Sequence, residues 1–345
     1  MNLKKISLSV LVLGLLAFII FKLFNKEEKQ ILDVFNWAYY MEESLLKDFE
    51  EANNCIINYK EFPTNEDLLS DLENNSTAWD VVFPSDYMVE MMVSKGLLTE
   101  LSKEKLSNLS NMNDAFMNQT FDKGNNYSLP YIWGCTGIGY NTNNISEASS
   151  YSVLWDKANS GKIGLLDDIR FSIAVPLLWK GYSINTTNRL ELSIADSLLV
   201  AQKPLVKAYN SDNYVDLLKS GEVDLMYGYS GDIIQAVPEF SNLAFTIPQE
   251  GGVLYIDNMC IPKKSDNVEL AHKFINFLME AEVAATIINN KWFAMPNKAA
   301  EALVKPEIKN NKGVYPPQDV LDRCQMIQDL DDDVKLYEDI WKRLK

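Results

Sequence analysis

The chain holds one histidine, His272, and four cysteines, Cys55, Cys135, Cys260 and Cys324, with no Cys-x-x-Cys among them. Common zinc sites need clustered cysteine and histidine, so no metal or cofactor is expected. Hydrolases built on a nucleophile elbow are excluded as well, because Gly-x-Ser-x-Gly does not occur and the lone histidine sits between Ala271 and Lys273 on a predicted helix, where it reads as a surface residue. Positive charge is scarce: 32 Lys and Arg stand against 48 Asp and Glu, a net charge of −16. Nucleic acid is therefore not an expected partner, since phosphate binding needs a basic face. Repeats of fixed period and low-complexity tracts are missing, which excludes solenoids. The glycines of Gly134-x-x-Gly137-x-Gly139 are in the wrong order for a dinucleotide loop and read instead as a strand crossing with close backbone approach. The acidic run Asp329-Leu-Asp-Asp-Asp333 lacks the glycine and final glutamate of a calcium loop and reads as a solvated helix start. The spacing of the cysteines does not decide between buried thiols, the preferred reading, and an oxidised pair.

What is present begins with an apolar run. Lys4-Lys5 precede Ile6 to Phe21, broken by Ser7, Ser9 and Gly14, and Lys22 follows. This is an export signal or membrane anchor over residues 1–30. No small-x-small cleavage site is evident, and extension through Phe24 brings the run close to the roughly 20 residues that span a bilayer, which favours an uncleaved anchor. Lys4 and Lys5 then lie inside and the remainder outside. The five lysines and two glutamates of this segment leave −19 on the rest of the chain, a field that aids solubility and, more weakly, draws in cations.

From residue 31 onward, strand and helix alternate. Ile31 to Asn36, Cys55 to Phe62 and Trp79 to Phe83 read as strands, with helices over Glu42 to Glu51 and Asn65 to Asn74, the signature of a parallel sheet. A second alternation starts near Ser152, with strands Ile163 to Leu166 and Glu222 to Tyr229 and helices from Arg170 and around Leu190 to Ala201. Leu254 to Pro262 crosses back, and the amphipathic helix Asn267 to Glu280 returns to the first unit. The expected fold class is α/β with two lobes, each a mixed, mostly parallel sheet flanked by helices, with a ligand cleft between them. The first lobe spans 31–138 plus 258–303, and the second spans 139–257 plus 304–345.

In such sheets ligands bind beyond the carboxyl ends of the strands. The residues falling there are Trp37, Tyr40, Ser85, Tyr87, Tyr229 and Tyr255, while Asp257 shares a face of an extended segment with Tyr255. Asp167-Asp168 ends another strand, with Asp168 read as ligand and Asp167 as structural. Aromatic faces and a few carboxylates suit a small organic cation, because a ring quadrupole attracts an ammonium by roughly 0.5 to 2 kcal/mol and a carboxylate accepts its protons.

These stretches resemble the polyamine-binding proteins, the spermidine and putrescine receptors of ATP-driven importers, over nearly all of residues 31 to 345. The resemblance is carried by Phe35-Asn-Trp37 with Tyr40, Asp80-Val-Val-Phe-Pro-Ser85 with Tyr87, Tyr127-Ser-Leu-Pro-Tyr-Ile-Trp-Gly134, Leu165-Leu-Asp-Asp168, Glu250-Gly-Gly252 with Asp257, Phe274-Ile-Asn-Phe-Leu278 and Pro296-Asn297. It implies a type II periplasmic-binding-protein fold, a non-enzymatic monomer that closes on its ligand and docks on a permease driven by an ATPase. By the same resemblance Trp37, Tyr40, Ser85, Tyr87, Asp168, Tyr229, Tyr255 and Asp257 contact the ligand. The chain departs from the spermidine pattern at five positions. Tyrosine replaces tryptophan at Tyr229 and Tyr255, Phe171 and Tyr39 stand where acids are common, and Ile327 beside Gln328 stands near a usual glutamine. A diamine needs only two acids, Asp168 and Asp257, with Asp86 as a third. Receptors of the same fold for another small ligand, with Arg170 as the one candidate for a carboxylate, and an anchored sensory ectodomain are the alternatives.

Overall fold

The alternation is realised along the chain from residue 29. The computed structural model describes residues 29–74 and 77–345. The expected signal or anchor therefore lies almost wholly outside the described residues. Among the described residues no helix is long and apolar enough to cross a membrane.

Strand β1 (Gln30–Trp37) leads into the helix Glu43–Asn53, then β2 (Cys55–Phe62), the helix Asn65–Asn74, β3 (Val81–Val82) and the helix Asp86–Ser94. The first helix forms because Leu45 and Phe49, four residues apart, share the buried stripe, and it stops where Asn54 turns into the left-handed region at φ 49°. β1 pairs in parallel with both β2 and β3, as the β-α repeats require. β3 is shorter than the expected Trp79 to Phe83, because only Val81 and Val82 face partner backbone in register while the chain turns toward the cleft at Pro84.

A long strand, β4 (Ser128–Asn141), carries the chain out of this first sheet. The second sheet uses β5 (Ile163–Leu165), β6 (Val206–Tyr209), β7 (Leu225–Tyr229) and β8 (Leu243–Thr246), and β9 (Val253–Cys260) returns to the first, with β10 (Gln325–Met326) beside it. Among the described residues the order is β2-β1-β3-β9-β4-β7-β5-β6, with β10 on β9 and β8 on β4. β4 is shared: Ser128 to Cys135 pair antiparallel with β9, and Thr136 to Asn141 pair antiparallel with β7 and β8. Its glycines do what their spacing implied. A side chain at Gly137 would run into the Thr246 carbonyl and the Phe245 ring, so the strand passes there only as bare backbone.

The two sheets organise separate cores. One collects Leu32, Phe49, Trp79, Phe83, Ile132 and Phe274. Another gathers Ile138, Leu165, Val175, Leu225 and Tyr227, and a smaller group seats the C-terminal helix Val334–Leu344 on the helices Ile169–Trp179 and Arg189–Gln202. Each large apolar side chain so buried contributes about 1.5 to 3 kcal/mol. The first core also takes in Val304, Ile308 and Val314, which lie beyond the 303/304 boundary expected from the sequence. Tyr87 packs against both main cores, so it stands where the lobes meet.

The histidine is a correction. His272 is 1 % exposed rather than at the surface. The Ser102 backbone N–H donates to its Nε2 at 2.9 Å, and its Nδ1 lies 2.7 Å from the Val268 carbonyl, which makes Nδ1 the protonated nitrogen. The loop at Leu101 to Leu106 covers this helix face, a long-range contact that local periodicity does not report.

Candidate ligand cleft

Backbone register sets the centre of the site. The antiparallel pairing of Val82 with Cys260 continues to Ser85 opposite Asp257, which brings the turn between β3 and the helix Asp86–Ser94 against β9. On the other side of β9, Tyr255 pairs with Gly134 and Asp257 with Ile132, so both side chains leave the same face of the strand. The Tyr255 ring lies over Gly134, where an added Cβ would collide with its hydroxyl. Any other residue at 134 displaces the ring.

Asp257 is 2 % exposed and accepts two hydroxyl hydrogen bonds, from Tyr40 at 2.8 Å on Oδ2 and from Ser85 at 2.6 Å on Oδ1. Asn65 extends the network: its Nδ2 donates to the Ser85 and Tyr87 hydroxyls, each at 3.1 Å, and its Oδ1 accepts from the Ser85 N–H at 3.1 Å. The Tyr87 hydroxyl in turn donates to Glu66 at 3.2 Å. Trp37, anchored by its indole N–H on the Phe83 carbonyl at 2.8 Å, has its ring 6.4 Å from that of Tyr40. The opposite wall is aromatic. Tyr229 meets Tyr255 edge to face at 5.4 Å and Phe171 at 5.1 Å. Asp168 precedes the helix Ile169–Trp179 and caps it, its Oδ1 accepting the Phe171 N–H at 3.0 Å. It lies near enough to the Tyr87 and Tyr229 hydroxyls for its charge to oppose their ionisation.

The sequence-derived residues thus form a partial circuit: Trp37, Tyr40, Asp257 and Ser85 are direct neighbours, Tyr87 joins through Asn65, Tyr229 meets Tyr255, and Asp168 acts on Tyr87 and Tyr229 by its charge. Asp167, read as structural, is separate, exposed and paired with Lys345 at 2.7 Å, while Asp168, read as ligand, also caps the helix. Asp86 lies beside the circuit with its carboxylate tied to backbone, from Tyr87 at 2.7 Å and Ile256 at 3.3 Å. Sequence reasoning missed Asn65, Glu66 and Asp232. Asp232 opens the helix Ser230–Ala236 just past β7 and accepts the Tyr214 hydroxyl at 2.6 Å. An acid two or three residues past a predicted strand end is the signal that finds it. Phe171 is 8 % exposed and presents an apolar edge, whereas Tyr39 is 69 % exposed at φ 66°, pointing away from the circuit.

Four acids in and beside the circuit are raised, Asp86 and Asp257 buried and Asp168 and Asp232 half-buried. Burial pushes Asp86 up to about 8, Asp257 up to about 7, and Asp168 and Asp232 each up to about 6. For Asp257 the two hydroxyl donors oppose that rise, and for Asp168 the helix N-terminal N–H groups do so. Carboxyls held at such values by desolvation are poised to ionise when a cation enters and supplies the missing countercharge. Among the described residues no cluster of three or more His, Cys, Asp or Glu side chains is arranged to hold a metal ion.

Two lobes joined by shared strands, with aromatic rings and buried acids where they meet, define a receptor for a small solute. The profile of the bacterial extracellular solute-binding proteins matches residues 44–316, and the chain belongs to that family. It is 33% identical over 324 residues to the spermidine/putrescine-binding periplasmic protein of Salmonella typhimurium, with 93% of each chain covered. It is 32% identical over 329 residues to the putrescine/cadaverine-binding protein of Pseudomonas aeruginosa, with 91% of this chain and 93% of that one covered. Among solved structures, the putative spermidine/putrescine ABC transporter from Listeria monocytogenes superposes with a TM-score of 0.86 at 32% identity, over 92% of this chain and 99% of that one. The fold is the two-lobed periplasmic-binding-protein fold, as the sequence implied.

Proposed function

We propose that the protein captures a polyamine, spermidine or putrescine, outside the cytoplasm and hands it to the permease and ATPase of an ABC importer. Residues 1–30 serve as its signal or anchor. The carrying observation is the buried Asp257, held by Tyr40 and Ser85, with Trp37 beside Tyr40, Tyr229 edge to face on Tyr255, and Asp168 near Tyr229. Asp257 and Asp168 take the two ammonium groups of a diamine, and the rings flank its methylenes. Closure of the lobes buries the ligand, the hinge motion typical of this class of binding protein. Roughly three charge-assisted contacts of about 1.5 to 3 kcal/mol each reach the micromolar range after ordering costs. A carboxylate-bearing ligand is disfavoured because Arg170 is already engaged. Its Nη1 donates to Gln328 O at 3.1 Å, its Nη2 donates to Asn185 at 2.7 Å, and its guanidinium lies over the Tyr337 ring.

The relatives named for spermidine, putrescine and cadaverine support this reading, and Phe171 in place of an acid favours a diamine over a triamine. Calorimetric titration of ligand-stripped protein with putrescine, spermidine and arginine tests it. Micromolar or tighter binding of a polyamine, with arginine silent, is expected; silence with both polyamines overturns the reading.

A further inference from the structure

Apart from the cleft, one pair of reactive side chains is brought together by the fold. The Sγ atoms of Cys135 and Cys324 stand 3.2 Å apart, inside van der Waals contact, although 188 residues separate them along the chain. Neither is bonded to another cysteine. The apposition is built by the Gly251-Gly252 pair. Gly251, at φ 90°, lies against the Arg323 carbonyl where a Cβ has no room, and a Cβ on Gly252 would sit 2.6 Å from Cys135 Sγ. Only bare backbone at these two positions lets the start of β9 pass between β4 and the segment that enters β10, where the Gln325 N–H bonds the Gly252 carbonyl at 3.0 Å.

We propose that Cys135 and Cys324 are an oxidation site that closes to an intrachain disulfide when the protein meets a disulfide oxidant. The two sulfurs differ in the way such a reaction uses. Cys324 is partly exposed and Cys135 fully buried. The Cys135 thiol beside it holds Cys324 below the usual thiol range, which marks Cys324 as the attacking thiolate. Cys324 Sγ attacks one sulfur of the external disulfide, its S–S bond breaks, and one external thiol leaves. Cys135, losing its proton, then attacks Cys324 Sγ in the mixed disulfide and expels the second external thiol. One external disulfide is reduced to two thiols, two protein thiols are oxidised to one disulfide, and no other reactant is needed. Closing the gap to a bond of about 2.05 Å takes roughly 1 Å of side-chain movement.

The bond falls at a mechanically meaningful place. Cys135 is the last residue of β4 paired with β9, and Thr136 the first paired with β7, so the staple ties the C-terminal segment to the point where the strand changes sheets. Its occurrence in the cell rests on the extracytoplasmic reading, since oxidising compartments are where such bonds persist. The test does not rest on that reading, nor on the ligand. The full chain is incubated with oxidised glutathione, alkylated in denaturant, and examined by intact mass and peptide mapping, beside Cys324→Ser and Cys135→Ala. The expected result is loss of two of the four alkylatable thiols with a linked peptide joining positions 135 and 324, and three reactive or glutathione-bearing thiols with no internal link in either variant. Four reactive thiols in the oxidised wild type, or a link through Cys55 or Cys260, overturns the proposal.

Discussion

The two walls of the cleft hold their acids by different means. On the first wall Asp257 is held by side chains, the Tyr40 and Ser85 hydroxyls, and Ser85 is itself positioned by Asn65 and by antiparallel register. On the second, Asp168 is held by backbone at a helix N-terminus, where the helix dipole supports its charge. An acid set by a helix end keeps its environment when neighbours change, because backbone donors do not vary with sequence. An acid set by hydroxyls can be retuned one residue at a time. The ordering of the two follows: Asp257, buried more deeply, is raised further than Asp168 despite having two donors.

The largest expected effect breaks the first wall. Asp257→Ala removes the central acid and leaves two buried hydroxyls without their acceptor, and polyamine affinity is expected to fall by about 2 to 5 kcal/mol, thirtyfold or more. Calorimetry reads this directly, and unchanged affinity would remove Asp257 from the site. Next comes a paired test of the second wall. Asp168→Asn keeps a capping side chain and loses the charge, so affinity drops by about 1.5 to 3 kcal/mol with little change in melting temperature. Asp168→Ala loses the cap as well and costs about 1 kcal/mol more of stability. Equal melting temperatures for the two variants would contradict the capping assignment. The smallest effect sharpens the contrast: Tyr40→Phe removes one donor from Asp257, weakens binding by about 0.5 to 1.5 kcal/mol, and moves the pH midpoint of binding upward. The same midpoint as wild type would mean that the hydroxyl does not tune the acid.

Much of this was legible in the chain. The β-α alternation, the crossing strand with its three glycines, and the positions of Trp37, Tyr40, Ser85, Tyr87, Asp168 and Tyr229 near strand ends all follow from local pattern, because a strand's carboxyl end is a local property. What stayed hidden depends on distant partners. Asn65 looks like an ordinary helix start until Ser85 and Tyr87 arrive beside it, and His272 looks exposed until the 101–106 loop covers it. Asp86 illustrates a third case: it was read as a further ligand acid, yet its oxygens are taken by the backbone of Tyr87 and Ile256, one of them from a strand about 170 residues away. The Cys135 to Cys324 contact is of the same kind, since no spacing rule links them.

The central claim is that Asp257 and Asp168 await a cation, and the titration of the raised acids around them tests it. With folded values raised to between about 6 and 8 and an ordinary carboxylate near 4, the protonated forms favour the fold. Stability without ligand is therefore present at low pH and declines as pH rises from about 4 toward 8, while a bound dication favours the ionised forms and expels their protons. The most direct measurement is the putrescine binding enthalpy at pH 6.5 in two buffers of different ionisation enthalpy, repeated from pH 5 to 8. The account predicts net proton release at pH 6.5 and affinity that rises with pH across that range. Binding without proton release, at an affinity independent of pH, would contradict it.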